Sequence, residues 1–120
     1  MLELILINTE NFSTVDEFPS KLFSLLNIGE NEIRYSENSL SGKYYLGKAL
    51  GVAIKLEQAD DSVYPGYGFW LTIDALHLSS VDDPNSLRGF SVNLANFLVA
   101  QGLKIARVEG CGRQECVIEY

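Results

Sequence analysis

Between Glu57 and Trp70 the chain places the carboxylates Glu57, Asp60 and Asp61 within a few positions of the aromatic residues Tyr64, Tyr67 and Trp70. Carboxylates pair with Arg and Lys, and Tyr and Trp are favoured interface anchors, so this mixture suits a surface that grips a basic partner. It does not suit bond-making. The neighbouring acids Asp16-Glu17, Asp60-Asp61 and Asp82-Asp83 cannot approach one substrate from two sides as a glycosidase-like pair must. A hard cation at Asp60-Asp61 would need several more oxygen ligands, and the loop lacks EF-hand spacing. His77, the only histidine, follows a strand-like run in IDALHLSS. Ser79, Ser80, Asp74 and Asp82 lie too close to it in sequence for a triad, and no nucleophile elbow is present. GYG at 66–68 and GCG at 110–112 lack the following helix and the Lys-Ser/Thr pair of a phosphate loop. Cys111 and Cys116, with one histidine, fall short of the four ligands of a zinc site. They could face each other across a hairpin and oxidise, but packing or incidental cysteines are the expectation. No catalytic residue, metal or cofactor is expected.

The elements around these residues can be read from periodicity. LELILIN at 2–8 is apolar at nearly every position, as in a strand covered on both faces. Thr14 and Glu17 resemble a capping box, and Val15, Phe18, Leu22, Leu25 and Leu26 follow at helical spacing. Pro19 must then lie in the first turn, which starts the helix near Asp16, and Gly29 is expected to end it. Ile33 and Tyr35 begin a short strand, followed by a turn over 38–42. Tyr44 to Glu57 reads as one alternating strand, with Leu50, Val52, Ile54 and Leu56 on one face and Gly51, Ala53, Lys55 and Glu57 on the other. Gly47 and Gly51 mark a bend, a bulge or a close approach of another element. After the acidic loop, Tyr67, Phe69, Leu71 and Ile73 share a face. Trp70 then points away from them, where it meets another layer or anchors an interface. Asp83-Pro84 opens a second helix with a stripe of Leu87, Phe90, Leu94, Phe97 and Leu98, widened by Val92 and Val99, and Gly102 stops it. Residues 103–109 and 115–120 read as a closing hairpin.

The expectation is a single α+β domain over 1–120, an antiparallel or mixed sheet with two helices in the order β-α-β-β-β-α-β-β. A length of 120 residues and 47% hydrophobic content suffice for a packed core, and no apolar run is long enough to span a membrane. MLELILIN is short for a secretory signal and the first basic residue is Lys21, so a cytoplasmic location is expected. A net charge of −7 opposes direct binding to nucleic acid and permits, without requiring, a basic protein partner, since acidity also serves solubility alone.

The glycine-interrupted LGKALGVAIKLEQAD, the acidic loop and the aromatic YGFWLTI together resemble the small acidic immunity proteins of bacterial contact-dependent growth inhibition and related polymorphic toxin systems. The likeness covers about a quarter of the chain. It implies a cytoplasmic protein without enzymatic activity or cofactor that blocks a cognate toxin C-terminal domain. Such a toxin is frequently a nuclease acting on tRNA or DNA. Carboxylates over a nuclease cleft would substitute for phosphates. On that reading Glu57, Asp60, Asp61, Tyr64, Tyr67 and Trp70 contact the toxin, with Asp82 as an outlying candidate. An adaptor for another basic protein is the alternative, followed by a small ligand-binding domain using the sheet near Gly47 and Gly51.

Overall fold

LELILIN forms β1 (Leu2–Asn8), and its Ile5, Leu6 and Ile7 are all fully buried. Consecutive residues can be buried in a strand only when both faces are covered. Ile5 and Ile7 face the main core under the helices, whereas Leu6 joins a second apolar cluster on the other side. The other elements are α1 (Phe18–Leu25), β2 (Asn31–Tyr35), β3 (Lys43–Ala49), β4 (Val52–Gln58), β5 (Phe69–Ala75), α2 (Pro84–Ala100), β6 (Lys104–Glu109) and β7 (Cys116–Glu119). The computed structural model describes residues 2–60, 62–77, 79–110 and 114–120. Its seven strands form one antiparallel sheet in the order β2-β3-β4-β5-β1-β6-β7. Both helices contribute to the main core, so among the described residues one face of the sheet is covered by helices and the other carries none. No helix among the described residues is long and apolar enough to cross a membrane.

The α+β class and the two helices agree with expectation, but the sheet has one strand more than expected. Tyr44 to Glu57 is not one strand: it folds back at Leu50-Gly51 into the β3–β4 hairpin, with Ala49 opposite Val52. Both turn residues have positive φ, 53° and 82°, the signature of a two-residue type I′ turn. Leu50 is therefore 80% exposed at the tip rather than beside Val52, Ile54 and Leu56. A leucine in this left-handed conformation is strained by about 1–2 kcal/mol. Leu50→Asn is expected to stabilise the fold by about 1 kcal/mol, read as a higher urea midpoint, because Asn-Gly suits such turns. Gly47 marks a close approach, as expected: a Cβ there would sit 2.9 Å from the Phe23 ring and 3.0 Å from Ile28.

The helix ends show which local signals prevailed. Thr14 accepts the Glu17 N–H at 3.3 Å, but regular helix begins only at Phe18, with Pro19 in the first turn. Asn27, not Gly29, takes the left-handed position after α1, at φ 56°. Ile28 N–H then reaches Phe23 O at 2.9 Å and Asn27 N–H reaches Ser24 O at 3.0 Å, which satisfies the terminal carbonyls. Asp83 caps α2 as expected, accepting the Ser86 N–H at 2.9 Å, and Gly102 closes it at φ 96°. In α2, Leu87, Leu94 and Leu98 are buried as expected, but Phe97 and Val99 are exposed. Ser91 and Ala95 are buried in their place, because small residues let the helix lie close to the sheet.

Candidate functional site

The helix-free face is organised by strand register. Glu57 on β4 lies opposite Trp70 on β5, Trp70 opposite Leu6 on β1, Leu6 opposite Ala106 on β6, and Ala106 opposite Glu119 on β7. Side chains opposite one another in a ladder share a face, so this row reads acid, aromatic, apolar, apolar, acid across five strands. The loop between β4 and β5 folds over the middle of the row. Tyr67 is 5% exposed and packs with Leu6, Ala106 and Val108, while Leu4, Tyr64 and Trp70 complete the cluster. Tyr67 therefore does not share a face with Phe69, Leu71 and Ile73, as alternation suggests. Regular strand begins only at Phe69, so the phase is not carried back through Gly68.

Trp70 lies opposite the helices, as expected, where it packs in the second apolar cluster and lines a surface cleft. The Tyr64 ring stands edge-on to it, with centroids 6.0 Å apart at 77°. Its indole Nε1 is buried with no acceptor among the described residues. The tyrosine hydroxyls reach in the opposite direction: Tyr64 donates to Glu115 Oε2 and Tyr67 donates to Glu119 Oε1, the latter at 3.3 Å. Burial, reinforced by the Glu119 carboxylate, raises the pKa of Tyr67 and keeps its phenol protonated.

A cleft of about 190 Å³ opens beside Trp70, lined by Asn38, Leu40, Glu57, Gln58, Asp60 and Val63. Its acids are held differently. Glu57 accepts from Ser39 Oγ at 3.1 Å and lies 3.7 Å from Lys55 Nζ, whose ammonium also sits 4.5 Å from the centre of the Tyr44 ring. Asp60 is exposed and accepts from Ser62 Oγ at 2.7 Å and Ser62 N–H at 2.9 Å, bonds that lower its pKa and favour the anion. Leu40 and Val63 are exposed apolar groups at the rim. The cleft can receive a long basic side chain, with carboxylates for its charge and an indole wall for its stem.

Of the expected contact residues, Glu57, Asp60, Tyr64, Tyr67 and Trp70 are thus brought to one region, although Tyr67 is covered. Asp61 lies outside the described residues. Asp82 is exposed but near the opposite end of the strands: its N–H bonds Ser79 O, and Ser79 abuts the Gly51 turn. Cys116 is exposed and so has no packing role, and Cys111 lies outside the described residues. His77 is exposed in the turn after β5. No cluster of potential metal ligands occurs among the described residues.

Two groups have little sequence signal. Glu115 and Glu119 reach the aromatic cluster only through the β6–β7 pairing, which short-range patterning cannot show. Arg107 carries a signal that could have found it: in KIARVE it occupies the same alternating phase as the core residue Ile105. It is 2% exposed, and its guanidinium donates to Ser91 Oγ, Tyr120 OH, Glu3 Oε1 and Glu109 Oε1 at 3.1–3.3 Å. Comparisons with protein-family models, curated proteins and solved structures returned no match.

Proposed function

We propose that this protein is an immunity protein that neutralises a secreted bacterial toxin domain, with a basic nuclease as the expected target. The observation supporting this reading is the cleft that joins Glu57, Asp60 and the Trp70 wall on a helix-free sheet face. An arginine or lysine at the toxin's nucleic-acid cleft would enter it, pair with the carboxylates and lay its stem along the indole. The net charge of −7 steers a basic partner toward encounter, and the aromatic cluster provides a rigid floor that slows dissociation. Tyr67 acts from below by supporting Trp70 and holding Glu119, whereas Tyr64 borders the surface. The resemblance to immunity proteins supplies the toxin. The geometry itself favours a basic partner.

On this reading a toxin gene should lie immediately upstream, and the test is co-expression with its C-terminal domain. Restored growth of toxin-expressing cells and co-purification of a stable complex are the expected results. Absence of both protection and complex would sink the toxin assignment. Recovery of an unrelated basic protein from native cytosol, bound at the same face, would instead assign that face to an adaptor.

A further inference from the structure

We propose that the edge strand β2 pairs with β2 of a second copy of this chain, across a two-fold axis at Ile33, to form a weak antiparallel dimer. β2 ends the sheet, and all five of its residues are exposed, including Ile33 at 48% and Tyr35 at 81%. Its free edge can be deduced from the ladder. Ser36 N–H donates to Gly42 O at 3.0 Å, one position beyond the Tyr35–Lys43 pair, making Ser36 and Gly42 a hydrogen-bonded pair. Antiparallel ladders alternate, so Arg34–Tyr44 and Glu32–Leu46 are also bonded pairs, and their backbone groups point inward. Asn31, Ile33 and Tyr35 consequently direct N–H and C=O groups outward.

The outward residues match under two-fold symmetry. An axis at Ile33 sets Ile33 opposite Ile33 of the second copy and Asn31 opposite its Tyr35, and each pair can exchange two backbone bonds. The intervening pairs set Glu32 opposite Arg34 of the second copy, and Arg34 opposite its Glu32. These charges project on the same face, where Glu32 Oε1 and Arg34 Nη2 now pair within one chain at 2.9 Å. Directly opposed side chains lie about 5 Å apart, nearer than the like-charge diagonals at about 7–8 Å. Extending the register sets Glu30 opposite Ser36 and Gly29 opposite Glu37, so no like charges meet head-on. NEIRY is therefore electrostatically self-complementary in the one register its backbone polarity allows around Ile33. Edge strands usually resist such pairing with a proline, a bulge or an unmatched charge, and β2 shows none of these.

Sedimentation velocity on the full chain, up to about 0.5 mM, should show the average mass rising toward that of a dimer, as for a dissociation constant weaker than micromolar. Ile33→Pro removes an outward N–H together with the half-exposed isoleucine side chain, leaves the bonds to β3, and is expected to abolish the rise. Glu32→Arg and Arg34→Glu should each be monomeric alone, whereas mixing them should restore association as a heterodimer because every opposed pair is again unlike. Circular dichroism checks that each variant is folded. A wild-type chain that stays monomeric throughout, a dimer indifferent to Ile33→Pro, or no recovery on mixing would overturn the proposal.

Discussion

Replacing Arg107 with alanine is expected to lower stability by about 3–5 kcal/mol, a large share of the 5–15 kcal/mol typical of a domain. The side chain is 2% exposed, and its four partners come from different parts of the fold: Glu3 from β1, Ser91 from α2, Glu109 from β6, and Tyr120 after β7. Alanine would remove the charge that holds Glu3 and leave a void beneath α2. Glu109 would retain Arg88, whose Nη2 lies 2.9 Å from its Oε1, so Glu3 suffers the greater loss. Arg107→Lys should fall between wild type and alanine, since an ammonium keeps the charge but cannot span these partners with a planar fork. Urea unfolding of the three proteins gives the comparison. A loss below about 1 kcal/mol for alanine would mean that the acids rehydrate freely and the network contributes little.

The second large effect concerns binding. Glu57→Lys combined with Asp60→Lys should weaken the complex with a cognate toxin domain roughly thirtyfold or more, the scale of an interface hot spot. The substitutions place two ammonium groups in the cleft, beside Lys55, where a basic partner side chain is proposed to enter. Association should slow and lose much of its salt dependence, because acidic steering toward this face disappears. Asp60 is exposed, but Glu57 is largely covered and accepts from buried Ser39, so the melting temperature should fall modestly while the fold is kept, as circular dichroism can check. Asp82→Lys is the matched control: β4 and β5 separate it from the cleft by about 20 Å at 3.3 Å per residue, so binding should stay close to wild type. Calorimetry on the purified complex reads all three proteins. Unaltered affinity in the double variant would move the interface off this face.

The parts of the fold visible in the sequence are those governed by neighbouring residues. Asp83-Pro84 and Gly102 bracket α2 because capping chemistry acts over three or four positions. The doubly buried β1 is visible because two covered faces demand an unbroken apolar run. The β3–β4 turn is hidden for a physical reason. A two-residue turn shifts the face phase by one, so Tyr45, Gly47 and Ala49 face the helices before it, and Val52, Ile54 and Leu56 after it. Leu46 on the other face and Leu50 at the exposed tip mimic an uninterrupted even phase. Gly47, which lies against Phe23 of α1, sends almost no hydrophobic signal.

The site was legible to a similar depth. Glu57, Asp60, Tyr64, Tyr67 and Trp70 announce themselves by type and proximity, and Trp70's face follows from strand alternation. The pairing of Tyr64 with Glu115 and of Tyr67 with Glu119 depends on β1 and β6 bridging β5 to β7, a long-range consequence of strand order. The burial of Tyr67 likewise depends on how a ten-residue connection between Gln58 and Phe69 folds over the sheet.

The strand order also constrains events on the ribosome. Of the seven strands, β1 is synthesised before the others, yet it is flanked by β5 and β6, which follow much later in the sequence. β2 to β5 form a run of sequential hairpins that can assemble as they emerge, with low contact order. LELILIN must wait for Phe69–Ala75 before it has a first neighbour and for Lys104–Glu109 before it has a second. At about 5–20 residues per second, this most apolar segment is left without its native neighbours for several seconds. Nascent-chain aggregation should therefore be governed by residues 2–8, and a chaperone that holds apolar extended segments has its natural binding point there.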